Sequence, residues 1–109
     1  MPEPNAYTAI ADANRRHILD LLRAAGPLCA SEIVDHLSHI SQPAVSKHLR
    51  VLREAELVRF EKQGRERQYY LNPQALRQVV DWLRHYEALW DTRLETLKQL
   101  AEQEATEQQ

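Results

Sequence analysis

Wound at helical pitch, Leu76, Val79, Trp82, Leu83, Tyr86, Leu89, Trp90, Leu94, Leu97, Leu100 and Ala101 fall inside one stripe of roughly 140°. Neither glycine nor proline interrupts the chain from Gln74 to Ala101, and Asn72-Pro73 before it reads as an N-cap followed by proline at the first helical position. The spacing predicts one helix from Pro73 to Ala101, about 43 Å long at 1.5 Å per residue. A domain of this size has a radius of gyration of about 13 Å, so a chain of 109 residues cannot cover such a helix by itself. Left bare, a stripe with two tryptophans exceeds the few hundred Å² of apolar patch that a soluble monomer exposes. A partner helix is therefore expected, most simply the same helix of a second copy; the bland alternative is a core helix of a monomer. On this reading residues 1–102 are one domain and 103–109 a frayed polar tail.

Upstream, the pattern is helical, then changes. Asp12 is an N-cap for a helix whose Ile18, Leu21, Leu22 and Ala25 share a face, and Gly26-Pro27 stops it. Tyr7 to Ile10 suits a short helical turn before it. Ala30 to Leu37 places Ile33, Val34 and Leu37 at helical spacing. Ser41 then caps a further helix with Pro43 in its first turn and Val45, Leu49 and Leu52 facing the core. From Leu57 to Glu61 and from Arg67 to Leu71 the residues are β-branched or aromatic, with Gln63-Gly64-Arg65-Glu66 between them, which predicts a hairpin with a basic tip. The fold class is thus mainly α with a small β-hairpin. The order helix, helix, turn, helix, hairpin, helix is that of a winged helix-turn-helix with a long C-terminal dimerisation helix.

Charge is segregated along the chain. The totals, 14 Lys and Arg against 16 Asp and Glu, give a net charge of −2 and hide a gradient. Between Ser41 and Arg53 the basic residues Lys47, Arg50 and Arg53 meet no acid, whereas from Asp81 onward acids outnumber bases. Screening confines each field to about 8 to 10 Å, so a positive surface can exist on an acidic protein.

With Val45, Leu49 and Leu52 buried, the opposite face of the Ser41 helix presents Pro43, Ser46, Lys47 and Arg50, while Gln42 projects from its first turn. A glutamine amide can both donate to and accept from an adenine edge, Lys and Arg reach guanine or phosphate, and the amides behind Ser41 favour an anion. Lys62, Arg65 and Arg67 on the hairpin suit phosphate contact, as do Arg15 and Arg16 in the first turn of the earlier helix. The bland reading of such charges is a solvated helix face. It loses here because basic cluster, N-cap, preceding turn and basic hairpin agree. The expected contact set is Arg15, Arg16, Ser41, Gln42, Pro43, Ser46, Lys47, Arg50, Lys62, Arg65 and Arg67, with the reading helix near 42–54 and the wing near 61–68. The expected dimer contacts are Leu76, Val79, Trp82, Leu83, Tyr86, Leu89, Trp90, Leu94 and Leu97.

The run from Ala9 to Leu22 (Ala-Ile-Ala-Asp-Ala-Asn-Arg-Arg-His-Ile-Leu-Asp-Leu-Leu), the run Ser41-Gln42-Pro43-Ala44-Val45-Ser46-Lys47-His48-Leu49, and then Gly64-Arg65 and Tyr69-Tyr70-Leu71, resemble the ArsR/SmtB family of bacterial winged-helix repressors. The resemblance extends from about Tyr7 to Leu97. It implies a homodimer that binds double-stranded DNA at an inverted repeat and lets go when an effector or modification favours another conformation. The resemblance allows a small-molecule effector, which these residues do not identify.

Against the family's pattern, the sensing residues are missing. Its thiolate metal sensors carry Cys-x-Cys before the reading helix, where this chain has Cys29-Ala30-Ser31. One thiolate holds a soft ion poorly. Other members ligate metal from the last helix, which here offers only His85, with Asp81 one turn before it, short of the three or four ligands zinc needs. Relatives that respond to oxidant or persulfide use two cysteines. His36 and His39, with Cys29 and Asp35 nearby in sequence, form a weaker candidate near a helix end. The loop Ser38-His39-Ile40 is one residue longer than is usual in the family. No metal and no cofactor is expected. Trp82, Tyr86 and Trp90 read as interface anchors, although an aromatic effector pocket beside them is another use of the same side chains.

An enzyme is not expected: the chain has no phosphate-cradling glycine loop, nucleophile elbow, metal triad or paired carboxylates in a cleft. A winged-helix interaction module that docks a protein through its last helix is the alternative, but it has no need of Lys47, Arg50, Arg65 and Arg67 in alignment. The start, Met1-Pro2-Glu3-Pro4-Asn5, lacks a charged-then-apolar leader, no run approaches the ~20 apolar residues of a membrane span, and Cys29 has no internal partner, so a cytoplasmic protein is expected.

Overall fold

A computed structural model describes residues 4–107. Its elements are α1 (Ala6–Ile10), α2 (Ala13–Ala25), α3 (Ala30–His36), α4 (Gln42–Glu54), β1 (Val58–Gln63), β2 (Glu66–Leu71), a 3-10 turn (Pro73–Leu76), α5 (Arg77–Arg84) and α6 (Glu87–Glu107). They fall into two compact units, the first ending at Val79 and the second beginning at Val80. No described helix is long and apolar enough to cross a membrane.

In the first unit α1, α2 and α4 each begin where a side chain replaces a missing backbone partner. Asp12 accepts from the Arg15 amide at 3.1 Å, and Ser41 Oγ accepts from the Ala44 amide at 3.3 Å. α1 starts at Ala6, one residue before the expected turn, because Asn5 and Thr8 form a reciprocal capping box. α2 stops at Gly26, whose φ of 82° an L side chain rarely adopts. α3 packs on α4, and α2 packs on both α4 and β2. Ile18, Ile33, Val45, Leu49, Leu52, Leu57 and Val58 are fully buried between them. Each such side chain contributes about 1.5 to 3 kcal/mol relative to exposure, and together they set α4 with one face down and the other in solvent.

α4 ends in a Schellman motif. The Leu57 amide donates to the Leu52 carbonyl and the Glu56 amide to that of Arg53, both at 2.9 Å. Leu52 and Leu57, both wholly buried, make the accompanying apolar contact, and Glu56 takes a φ of 64°. The hairpin then pairs Val58 with Leu71, Phe60 with Tyr69, Lys62 with Arg67 and Gln63 with Glu66. β1 starts one residue later than expected and ends two later, β2 starts one earlier, and the turn shrinks to Gly64-Arg65. Positive φ falls only on Gly64 (66°), as a type II′ turn requires. Leu28, just before α3, exchanges both backbone bonds with Tyr69, at 3.0 and 2.8 Å, so the hairpin's base is paired on both sides.

The expected single helix from Pro73 to Ala101 is not what forms. Asn72 does not cap it with its side chain; that amide goes to the Glu56 carbonyl instead, and the chain opens as a 3-10 turn. A second interruption falls at His85-Tyr86. There the amides of His85 and Tyr86 donate three residues back, to Trp82 and Leu83, and His85 Nδ1 lies 3.1 Å from the same Trp82 carbonyl oxygen. A side chain competing for a backbone acceptor tightens the last turn of α5, and the bond from the Trp90 amide to the Tyr86 carbonyl starts α6. α6 is a long C-terminal helix nonetheless. It continues to Glu107, into the segment 103–109 expected to fray, because Ala, Glu and Gln are good helix formers; residues 108 and 109 lie outside the described residues.

Candidate nucleic-acid interface

α3, the turn after it and α4 form a helix-turn-helix, with the β1-β2 hairpin following as the wing. Since Val45, Leu49 and Leu52 point inward, the other face of α4 carries Gln42, Pro43, Ser46, Lys47 and Arg50 into solvent, all exposed, with Ser41 exposed at its head. Pro43, which has no amide hydrogen, stands in the first turn, where that loss removes no helical bond. No acidic residue lies between Ser41 and Arg53, so the charged side chains of this face are all basic.

On the wing, Lys62, Arg65 and Arg67 are exposed. Arg65 occupies the turn, while Lys62 and Arg67 are cross-strand partners on the face that also bears Phe60 and Tyr69. The Arg67 guanidinium lies 4.4 Å from the centre of the Phe60 ring. Arg53, in the last turn of α4, reaches the same ring at 5.4 Å. Neither Arg53 nor Phe60 stood among the expected contacts. The signal was thin: an unpaired base one turn beyond Arg50 and an aromatic residue at an even spacing from the basic tip.

Arg15 and Arg16 turn out to be occupied. Arg15 Nε donates to the Ala9 carbonyl at 2.7 Å and its Nη2 to that of Thr8 at 3.2 Å, while Nη1 lies 3.4 Å from His48 Nδ1. Arg16 Nη1 donates to the Ile10 carbonyl at 2.7 Å. The two guanidiniums thus satisfy three carbonyls at the end of α1, a short helix that has few other means of doing so. Sequence placed both on phosphate alone and missed this. At the head of α2, burial raises the Asp12 carboxyl, but the Arg15 amide, the Arg15 charge, His48 and the Asn14 amide together bring it below its ordinary value.

The expected dimer contacts divide. Leu76 and Val79 pack partly against the core of the first unit. Leu83 is half-buried, whereas Trp82, Tyr86, Leu89, Trp90, Leu94 and Leu97 are exposed. Within the second unit Tyr86 meets the Trp82 ring edge-on at 5.4 Å and stacks with Trp90 at 6.3 Å.

Cys29 is buried at the head of α3, its Sγ 3.1 Å from Ser31 Oγ. Its amide donates to Glu32 at 3.1 Å, and the hydrogen bonds from Cys29 hold the Glu32 carboxyl below its usual range. His36 Nδ1 lies on the Glu32 carbonyl and His39 Nε2 on Asn14 Oδ1, so the two rings have separate partners. Among the described residues no three His, Cys, Asp or Glu side chains converge as a metal ion would need.

A sequence model of the bacterial regulatory proteins of the arsR family matches residues 12–59. The chain is 37% identical over 82 residues to the transcriptional repressor SdpR of Bacillus subtilis, a match spanning 75% of this chain and 89% of that protein. To the arsenical resistance operon repressor of Staphylococcus aureus it is 38% identical over 71 residues, 65% of this chain and 66% of the other. The structure of an ArsR-like transcriptional regulator from Rhodococcus sp. RHA1 superposes with a TM-score of 0.68 at 35% identity, covering 88% of this chain and 86% of that one.

Proposed function

Because the chain belongs to the ArsR family of bacterial transcriptional regulators, DNA-binding proteins and not enzymes, we propose that two copies associate and repress transcription by occupying an inverted repeat. The observation that carries this reading is the acid-free, exposed face of α4 from Gln42 to Arg50, set above a fully buried Val45, Leu49 and Leu52. Gln42 reads a base edge from the first turn; Lys47 and Arg50 serve guanine or phosphate; Ser41, Pro43 and Ser46 fit against the backbone. Lys62, Arg65 and Arg67 bring the wing to phosphate or minor groove. Arg15 and Arg16 keep N-H donors beyond those bonded to α1 and meet the flanking backbone.

Association runs through the second unit. Trp82, Tyr86, Leu89, Trp90, Leu94 and Leu97 are a larger exposed apolar surface than a soluble monomer tolerates, and a second copy covers it most simply. Leu83 of the same unit, and Leu76 and Val79 of the first, complete the proposed dimer contacts. Residues 1–102 act as the DNA-binding and dimerisation domain, 103–109 lie beyond it, and the protein works in the cytoplasm.

A soft-metal switch does not fit these residues. Ser31 stands where the second thiolate would be, and a hydroxyl is a hard, neutral donor. Release from DNA is therefore assigned to a small-molecule effector or a modification.

Selection of bound duplexes from random DNA, followed by a salt titration on the winner, tests the reading. A palindromic winner and a steep linear fall of log affinity with log salt are expected. Recovery of no enriched sequence overturns it.

A further inference from the structure

Between α4 and the wing opens a cleft of about 250 Å³ lined by Ser46, Leu49, Arg50, Arg53, Arg67 and Tyr69. Three of these are cationic, two carry hydroxyls and none is acidic. Arg53 and Arg67 approach one aromatic ring from two different elements, at 5.4 and 4.4 Å from the Phe60 centre, and among the described residues neither is paired with a carboxylate. Like charges gathered in this way are unfavourable until an anion joins them. A guanidinium held over a ring keeps N-H donors free, and such a fork can meet two oxygens of one phosphate.

We infer that this cleft seats one backbone phosphate of the duplex, gripped by Arg53 and Arg67, with Phe60 as the positioning residue that holds both guanidiniums in place. The inference rests on the reading of α4 as the helix that meets DNA. It adds to that reading a contact contributed jointly by helix and wing. Phosphate is favoured over a base because Arg53 sits in the last turn of α4, eleven residues from Gln42, which is about 16 Å along the helix from the end expected to enter the groove. The ring also explains how two mobile side chains are ordered before DNA arrives, which lowers the entropy lost on binding.

The test compares the full-length protein with Phe60→Leu, Phe60→Tyr and Arg53→Gln on the selected duplex and on a random one, across a salt series. Phe60→Leu removes the ring and no charge. It is expected to weaken both duplexes about fivefold and to make the salt slope shallower by about one per protomer, with sequence preference kept. Phe60→Tyr, which keeps the ring, is expected to bind as the original does. Arg53→Gln, half-buried at the end of α4 and keeping part of the aliphatic stem, is expected to melt as the original does and to show the same loss as Phe60→Leu. Combining the two is expected to add little, because both remove one contact. If the original protein binds DNA and Arg53→Gln retains its slope, the phosphate seat is overturned and the reading of function stands. If the original binds no duplex, both fall.

Discussion

Asn72 Nδ2 donates to the carbonyl oxygen of Glu56 at 2.7 Å, fastening the one described non-glycine residue whose φ is positive. The Asn72 amide also donates to the Leu57 carbonyl, so a single residue after β2 secures the turn that leads from α4 into β1. A left-handed residue other than glycine costs roughly 1 to 2 kcal/mol. Glu56→Gly is expected to raise stability by about 1 kcal/mol, and Asn72→Ala to lower it by about 1 to 2 kcal/mol, since it leaves a carbonyl short of its partner. Urea midpoints check both; a destabilised Glu56→Gly would mean that the Glu56 side chain matters more than its backbone.

Arg15 is tied to the last carbonyls of α1, so its removal should act on folding before it acts on any ligand. Arg15→Met, which keeps the apolar stem, is expected to cost about 1 to 2 kcal/mol. Hydrogen exchange at the amides of Ala9 to Ala11 should accelerate more than at Leu49 or Leu52. Uniform exchange rates would show that the guanidinium does not hold α1.

Gln42 and Lys47 stand on the same exposed face but differ in chemistry. Gln42→Ala is expected to relax preference at one base position in each half of the site, at a cost of about 1 to 3 kcal/mol on the preferred sequence. Lys47→Ala should weaken all duplexes alike and reduce the salt slope by about one per protomer. Gel-shift titrations on matched and mismatched duplexes separate the two, and identical profiles would move the reading residue elsewhere on α4.

Trp82, Tyr86 and Trp90 form one aromatic run, so a single truncation leaves two rings in place. The double change Trp82→Ala with Trp90→Ala is expected to give monomers by equilibrium sedimentation. Affinity for the palindrome should fall by at least a hundredfold, because linked half-sites act through effective concentration. An intact dimer would remove these side chains from the interface.

Asp12 supplies the pH dependence. Its carboxyl lies below the ordinary value in the folded chain, because the favourable charges and amides around it outweigh its burial. The unfolded chain therefore binds the proton more readily. The stabilisation is fully present above the unfolded carboxyl value of about 3.9, and disappears as pH falls through the lower folded value. Asp12→Asn can still cap α2 and should flatten the stability profile below about pH 4. Thermal melts between pH 3 and 6 distinguish the variants; parallel curves would assign the acid sensitivity to other carboxylates.

What the sequence made legible was whatever a single element decides. Asp12, Ser41 and Gly26 cap because of local backbone needs, and Val45, Leu49 and Leu52 face inward because of period alone. The hairpin followed from residue type. The rest depends on where elements lie against one another. Arg15 and Arg16 look the same on paper whether they meet phosphate or a carbonyl, and the choice was made by the angle at which α1 returns to α2. Asn72 has the residue type of an N-cap, yet a stronger claim on its side chain comes from a carbonyl sixteen residues back. His85 breaks a tract that contains no breaking residue, because its ring reaches the Trp82 carbonyl. The conjunction of Arg53 and Arg67 on Phe60 needed the strand register and the exit from α4 at once.

The pair of bonds joining Leu28 to Tyr69 divides the hairpin mechanically. At that rung β2 has a neighbour on each edge, so the root of the hairpin behaves as an abutment fixed to the body. Outward from it only two strands run, ending in a glycine-led turn, and a two-stranded ribbon resists bending weakly. Bending therefore gathers at the outer rungs, which carry Lys62 and Arg65, and under the proposed function that freedom lets them follow a contour that varies from one site to the next. Phe60, opposite Tyr69 at the abutment, keeps its distance from α4 while they do so.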